Sequence, residues 1–303
     1  MMLRYFILTS CPVKCSNLKP NPQIMNSFGG SWTIDKMEIV VAYAQAYLTI
    51  MNKQAWVKTL YFDGFAGSGH IDNDPPESED VIKGTALRIL EIEDPKSFDL
   101  YYFVEKNKKN KNLLEQTIKD QFPNKSTFIV QGDCNQKLES MADYLKKNKQ
   151  FRALAFIDPY GMSVNWKSIE SLKDAGVDLW ILVPTGIGVG RLLTQTGKID
   201  DLWLNRLEIF LGMDKEDIRK HFYKRQSSFT LFGEENWIEK EKGAIEKAGI
   251  LYQEKLKTVF KYVSDSFAMR NSMNVIMYHF MMATNNKAGL KIANDIIKPN
   301  YKL

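Results

Sequence analysis

Four acidic residues stand directly after, or just past, short apolar runs, and the first of them opens a glycine-rich turn. Asp63 is followed by Gly64-Phe65-Ala66-Gly67-Ser68-Gly69. Glycines at 64, 67 and 69 let a backbone turn sharply out of a strand and approach a bound molecule closely. Such a turn is shared by nicotinamide and flavin enzymes, although its spacing is not the G-x-G-x-x-G of a pyrophosphate cradle. Glu105, in Phe103-Val104-Glu105-Lys106-Asn107, offers a carboxylate that can accept from the two hydroxyls of a ribose. Asp133, in Gly132-Asp133-Cys134-Asn135, can accept from an adenine amino group. Cys134 completes this candidate cofactor-binding stretch as a small apolar residue with no catalytic task. The fourth acid heads Asp158-Pro159-Tyr160-Gly161.

The elements around these residues predict how they are brought together. A helix is expected from Thr33 through Asn52, with Met37, Val40, Val41, Ala44, Tyr47 and Leu48 on one face. Strands are expected at Val57–Phe62, Leu100–Val104, Thr127–Val130, Ala153–Ile157 and Leu179–Val183, each followed by a turn and all but the last by a helical stretch. Those helices are Gly84–Ile92, a Lys-rich run ending near Gln121, a run through Lys147, and Trp166–Lys173. The acidic Asp72–Asp80, with Pro75 and Pro76, reads as a surface loop. Five apolar strands separated by helices specify a parallel sheet covered on both faces, which binds ligands at the carboxyl ends of its strands. Asp63, Glu105, Asp133 and Asp158 all fall at those ends. Residues 190–256 read as a helical lobe for substrate or partner. Val259–Val263 and Val275–Met282, with a turn at Asn271-Ser272, are then expected to complete seven strands, ending in an antiparallel hairpin. The chain thus divides into a leader (1–30), a core (31–189 and 257–303) and the lobe (190–256).

The 303 residues are 44% hydrophobic and 25% charged, enough for a sizeable core. Three cysteines, Cys11, Cys15 and Cys134, make no disulfide framework and suit a reducing compartment, so a cytoplasmic location is expected. No apolar run is long enough to span a membrane. The leader's apolar Tyr5-Phe6-Ile7-Leu8 is shorter than the roughly 7–15 residues of a signal peptide core, and Met25 is an alternative start. Cys11 and Cys15 lack a third or fourth ligand nearby, and His70, His221 and His279 are scattered, so no metal site is read. His279, inside an apolar run, reads as a core histidine. Residues 186–303 carry 19 Lys/Arg against 14 Asp/Glu, while residues 1–185 balance, so the net charge of +5 sits in the C-terminal third. That bias suits an anionic partner such as nucleic acid, and equally a solvated helical surface.

The loop Phe65-Ala66-Gly67-Ser68-Gly69 resembles the cofactor loop of methyltransferases that act on amino groups of DNA and RNA. Asp158-Pro159-Tyr160-Gly161 resembles their Asp-Pro-Pro-Tyr signature, and more closely the Asp-Pro-Phe-Gly of a tRNA guanine-N2 methyltransferase family. The chemistry fits the residues. An aromatic amine has its lone pair drawn into the ring and is a poor nucleophile. Asp158 and the carbonyl of Pro159 can accept its hydrogens, restoring density on nitrogen and aiming it at a methyl group. Tyr160 can stack on the base.

Taken jointly, Trp32-Thr33-Ile34-Asp35-Lys36, Tyr61–Gly69, Phe103–Lys106, Gly132–Asn135, Phe156–Gly161 and the C-terminal stretch Tyr278–Gly289 resemble the bacterial three-Cys-motif partner proteins, over about residue 30 to the C-terminus. The resemblance implies a Rossmann-like S-adenosylmethionine methyltransferase fold, with Asp63, Gly67, Gly69, Glu105 and Asp133 lining the S-adenosylmethionine pocket and with Asp158 and Tyr160 facing the acceptor; Gly64, Phe65, Ala66 and Cys134 are read with the cofactor-binding residues and Pro159 with the catalytic ones. It also implies a neighbouring protein with three cysteines as a partner; it supplies no substrate.

Lesser candidates are Lys36, which could reach the cofactor but reads more simply as a surface lysine, and Lys83, placed to close over the site. Arg191, after the flexible-looking Gly186-Ile187-Gly188-Val189-Gly190, is placed to meet a phosphate. Trp203, Phe210, Phe222, Tyr223, Phe229, Phe232 and Trp237 read as lobe core. The expected function is methyl transfer to an amino nitrogen of a nucleobase in RNA or DNA. Competing readings are a methyltransferase for proteins or small molecules and a non-catalytic recognition protein. A nicotinamide oxidoreductase is disfavoured by the glycine spacing and by the lack of a His, Tyr or Cys relay.

Overall fold

In the computed structural model, residues 31–71, 82–231 and 233–298 are described. The leader with Cys11 and Cys15, the Asp72–Asp80 loop and Phe232 lie outside them. Helix α1 (Ser31–Met51) leads into β1 (Lys58–Asp63). A short ribbon follows, β2 (His70–Ile71) with β3 (Ile82–Lys83), then α2 (Thr85–Leu90). Strands and helices then alternate: β4 (Leu100–Glu105), α3 (Lys108–Gln121), β5 (Thr127–Gln131), α4 (Cys134–Lys147), β6 (Phe151–Ile157), α5 (Trp166–Glu170) and β7 (Val177–Val183). A π-helical turn (Thr185–Gly190) precedes α6 (Asp201–Leu211) and α7 (Lys215–Phe222). The hairpin β8 (Tyr223–Thr230) and β9 (Gly233–Lys240) and helix α8 (Ala244–Val259) come next. Last are β10 (Tyr262–Val263), β11 (Phe267–Arg270), β12 (Ile276–Thr284) and α9 (Lys287–Ile297).

The main sheet runs β10-β12-β7-β6-β1-β4-β5, with β11 also paired to β12. Its five strands from β5 to β7 are parallel, and β12 is antiparallel to β7 and to both short strands at that edge. This is a doubly wound, Rossmann-like α/β fold whose order reverses at β1, between β4 and β6. Alternate residues of β1 serve opposite faces: Leu60 and Phe62 join one core with α4, α5 and α8, while Tyr61 joins another with α1, α2, α3 and α9. Burial on both faces explains why these strands read as unbroken apolar runs.

Several boundaries differ from the sequence expectation. The run Val259–Val263 is not one strand, because α8 continues to Val259 and only Tyr262 and Val263 pair with β12. Asn271-Ser272 turns between β11 and β12, where Asn271 Oδ1 accepts from the amides of Met273 and Val275. The helix expected to Lys173 stops at Glu170. Residues 190–256 are mostly helical but also carry the β8–β9 ribbon, whose residues 227–229, 231 and 233–238 are exposed. Phe210, Phe222 and Tyr223 are buried, but in one core with residues of β1, β6 and β7 and not in a core of the lobe's own, whereas Trp203, Phe229 and Trp237 are exposed. The glycines before Arg191 are not in an irregular loop. They lie in the π-helical turn, where a Cβ on Gly186 would come 1.9 Å from the carbonyl oxygen of Ile276 in β12. Among the described residues no helix is long and apolar enough to cross a membrane.

Candidate active site at the carboxyl ends of the strands

The glycine turn is clamped across three strand ends. Gly64 donates its amide to Phe156 O at 3.0 Å, Ala66 to Val104 O at 3.0 Å, and Phe65 to Asp63 Oδ1 at 3.0 Å. Gly67 donates to Glu105 Oε2 at 2.9 Å, while Glu105 Oε1 accepts from Asn107 N at 2.6 Å. Gly67 has φ +64°, and a Cβ placed there would meet nothing within 4 Å, so the turn faces open space at that point. Gly64 is required for a different reason. A Cβ there would lie 2.6 Å from Cys134 Sγ and 2.7 Å from Ile157 Cδ1. Cys134 is therefore a buried packing residue beneath the turn, and burial pushes its thiol far above the ordinary range.

The acids differ in their surroundings. Asp63 is buried, and desolvation lifts its carboxyl to about 7, with Asp158 and Glu105 adding to the rise and Lys36 and the Phe65 amide opposing it. Buried Glu105 is held by two amides, yet a carboxylate has four lone-pair sites and keeps acceptor capacity for ribose hydroxyls. Asp133 caps α4 through Oδ1, which accepts from Asn135 N at 2.9 Å. These residues suit the nucleoside portion of a cofactor: an open backbone cradle at Gly67, an acid at each of the neighbouring strand ends, and a helix N-terminus beside them.

Asp158 follows β6, next to β1 in the sheet, and its carboxylate is ion-paired with Lys36 of α1. Lys36 is buried, which overturns its reading as a surface lysine. Pro159 is buried, Tyr160 is 81% exposed, and Gly161 turns the chain at φ +62°. Asn135 pins the following segment, donating from Nδ2 to Ser163 O at 2.9 Å and accepting on Oδ1 from Asn165 N at 2.7 Å. Tyr278 of β12 was not singled out as a site residue. Burial pushes its phenol's pKa up, with a further push from Asp158 and an opposing pull from Arg191, so it lies within electrostatic reach of both. Arg191 itself is exposed just past the π-helical turn.

Lys83 does not join this group: its ammonium pairs with Glu91, and both side chains are substantially exposed. His279 is the core histidine expected. Its Nδ1 is 2.7 Å from Thr185 Oγ1, and burial lowers its ionisation to about 4. Among the described residues no cluster of His, Cys, Asp or Glu could hold a metal ion.

No protein-family model matches the chain, and no characterised protein matches its sequence. Its structure is similar to that of protein LPL1258 from Legionella pneumophila (16% identity, TM-score 0.40, 86% of this chain and 99% of the other). It is also similar to Trm1 from Pyrococcus horikoshii in complex with S-adenosyl-L-methionine (11%, 0.38, 91% and 73%). An rRNA methylase from Streptococcus thermophilus is a further likeness (12%, 0.29, 68% and 93%). Likenesses this distant carry no information about cofactor or substrate.

Proposed function

We propose that the chain is an S-adenosylmethionine-dependent methyltransferase that modifies an exocyclic amino nitrogen of a nucleobase in RNA or DNA. The observation that carries this reading is the Asp158-Pro159-Tyr160-Gly161 segment standing one strand away from a clamped, open-faced glycine turn. When bound, S-adenosylmethionine supplies an electrophilic methyl group. Gly64, Phe65, Ala66, Gly67 and Gly69 would cradle it, with Asp63 near its cationic end, Glu105 on the ribose and Asp133 at the adenine, while Cys134 supports the cradle from beneath. Asp158 and the Pro159 carbonyl would accept the hydrogens of the acceptor amine, and exposed Tyr160 would stack on its base. Lys36 holds Asp158 at the strand end until the amine takes its place. Residues 190–256, with Arg191 at their start, would serve as the substrate lobe, and the exposed β8–β9 ribbon leaves surface for a partner such as a three-cysteine protein. A cytoplasmic setting fits the cysteine usage.

One observation favours a second reading, a recognition protein that keeps the fold without catalysis: the acceptor carboxylate is already engaged by a buried lysine. Calorimetric titration with S-adenosylmethionine, its demethylated product and NAD separates the two. Selective micromolar binding of the first two is expected. Absence of binding by the full chain would overturn the enzyme reading. A nucleic-acid titration across a salt series then tests the substrate, since phosphate contacts give a steep salt slope.

A further inference from the structure

A cavity of about 380 Å³ opens at the opposite end of the sheet, between the end of α1, the amino ends of β6 and β7 and the start of α9. With a strand rise of about 3.3 Å per residue, the length of β6 sets it roughly 20 Å from Asp158. Its lining brings three sources of positive potential together. Arg152 is on the lining, its guanidinium over the Trp56 ring at 5.8 Å and its Nη1 donating to Lys149 O at 2.7 Å and Phe151 O at 2.8 Å, which leaves other N–H groups to use. Lys287 is exposed at the first position of α9. The α9 N-terminus adds its dipole, and Asn286 Oδ1 accepts from only one of its first amides, that of Ala288, at 2.9 Å.

Tyr47 is the independent sign of a ligand. It lines the cavity and is 4% exposed, and its hydroxyl has no hydrogen-bond partner among the described residues. A buried hydroxyl left unpaired loses its hydration without compensation, so an acceptor from outside the chain is favoured there. The acid on the lining, Asp178, is already satisfied. Its oxygens accept from the hydroxyls of Tyr43 (2.8 Å) and Thr284, and burial pushes its pKa above the ordinary carboxylate range.

We propose that this cavity is a second ligand site, which binds a small metabolite through an oxyanion, a phosphate ester or a carboxylate. The anion sits on the α9 N-terminus between Lys287 and Arg152 and accepts from the Tyr47 hydroxyl. The site does not depend on the methyltransferase reading.

Thermal melts of the full chain with inorganic phosphate and with citrate, each against sodium chloride at matched ionic strength, test it. A saturable rise in melting temperature beyond that of chloride is expected, at least tenfold weaker in affinity for Lys287→Glu and reduced for Tyr47→Phe. A response to phosphate alone assigns a phosphate ester, and one to citrate alone a carboxylate; both together leave the shared oxyanion chemistry standing. No response beyond chloride, or equal responses in wild type and Lys287→Glu, would overturn the proposal. Lys287→Glu is expected to titrate S-adenosylmethionine as wild type does, so failure of one site is distinguishable from failure of the other.

Discussion

Asp63 is an acid placed where water cannot reach it, and its ionisation follows from that placement. With a folded-state value near 7 against an ordinary 3.8, the folded chain binds a proton more tightly than the unfolded chain. The resulting cost to stability is absent below about pH 4, grows as pH rises, and is complete above about pH 7, with a slope of at most about 1.4 kcal/mol per unit. Asp63→Asn is expected to abolish that slope, so urea unfolding at pH 5 and pH 8 should show the variant gaining on wild type at the higher pH. Parallel pH profiles for the two proteins would contradict it. The division of labour at the site is testable in the same terms. Asp158→Ala is expected to abolish transfer while sparing cofactor affinity, whereas Asp133→Ala weakens cofactor binding; equal loss of binding in both would sink the assignment. The four acids were legible in the sequence because three directly follow apolar runs and Asp133 stands just past a fourth, after Gln131-Gly132. Lys36 was not, because helical periodicity cannot tell which polar residue of α1 meets a strand end 122 residues later.

The glycine turn is held less by its own flexibility than by what surrounds it. Gly64 is closed in by Cys134 and Ile157, and Gly69 by Leu114 and Leu87, while Gly67 alone is open. Gly64→Ala is therefore expected to cost about 1–3 kcal/mol by overpacking, and Gly64→Ala combined with Cys134→Ala should recover part of it in a denaturant melt. No recovery would mean that the turn, not the contact, requires glycine. The inner strands were legible because two-sided burial makes their residues uniformly apolar, and the helices because one buried face repeats with the helical turn. The β8–β9 ribbon was not, because both of its faces meet solvent and its strands, Tyr-Lys-Arg-Gln-Ser-Ser-Phe-Thr and Gly-Glu-Glu-Asn-Trp-Ile-Glu-Lys, show no alternation. The glycines at 186, 188 and 190 read as freedom because sequence shows the missing side chain but not what fills its place: the β12 backbone at 186, Met162 and Pro184 at 188, and Ile245 with the Thr185 carbonyl at 190.

At the scale of the molecule, two cores on opposite faces of one sheet carry the stability, and the outer part of the ribbon joins neither. Replacing residues 227–236 with a short turn is expected to leave unfolding free energy within about 0.5 kcal/mol of wild type and S-adenosylmethionine titration unchanged. A larger loss would show that the ribbon braces the core. The sheet order was legible only in part: alternation announces a parallel sheet, but which edge the late strands join depends on pairings far apart in sequence.

The central place of β12 has a consequence for the order of events on the ribosome. The strand lies between β7 and the short edge strands β10 and β11, yet both edge strands are synthesised before it. Until residues 276–284 emerge, β7 presents a bare apolar edge, and β10 and β11 have no strand to join. The nascent protein must therefore leave its sheet unfinished until residues 276–284 have been made.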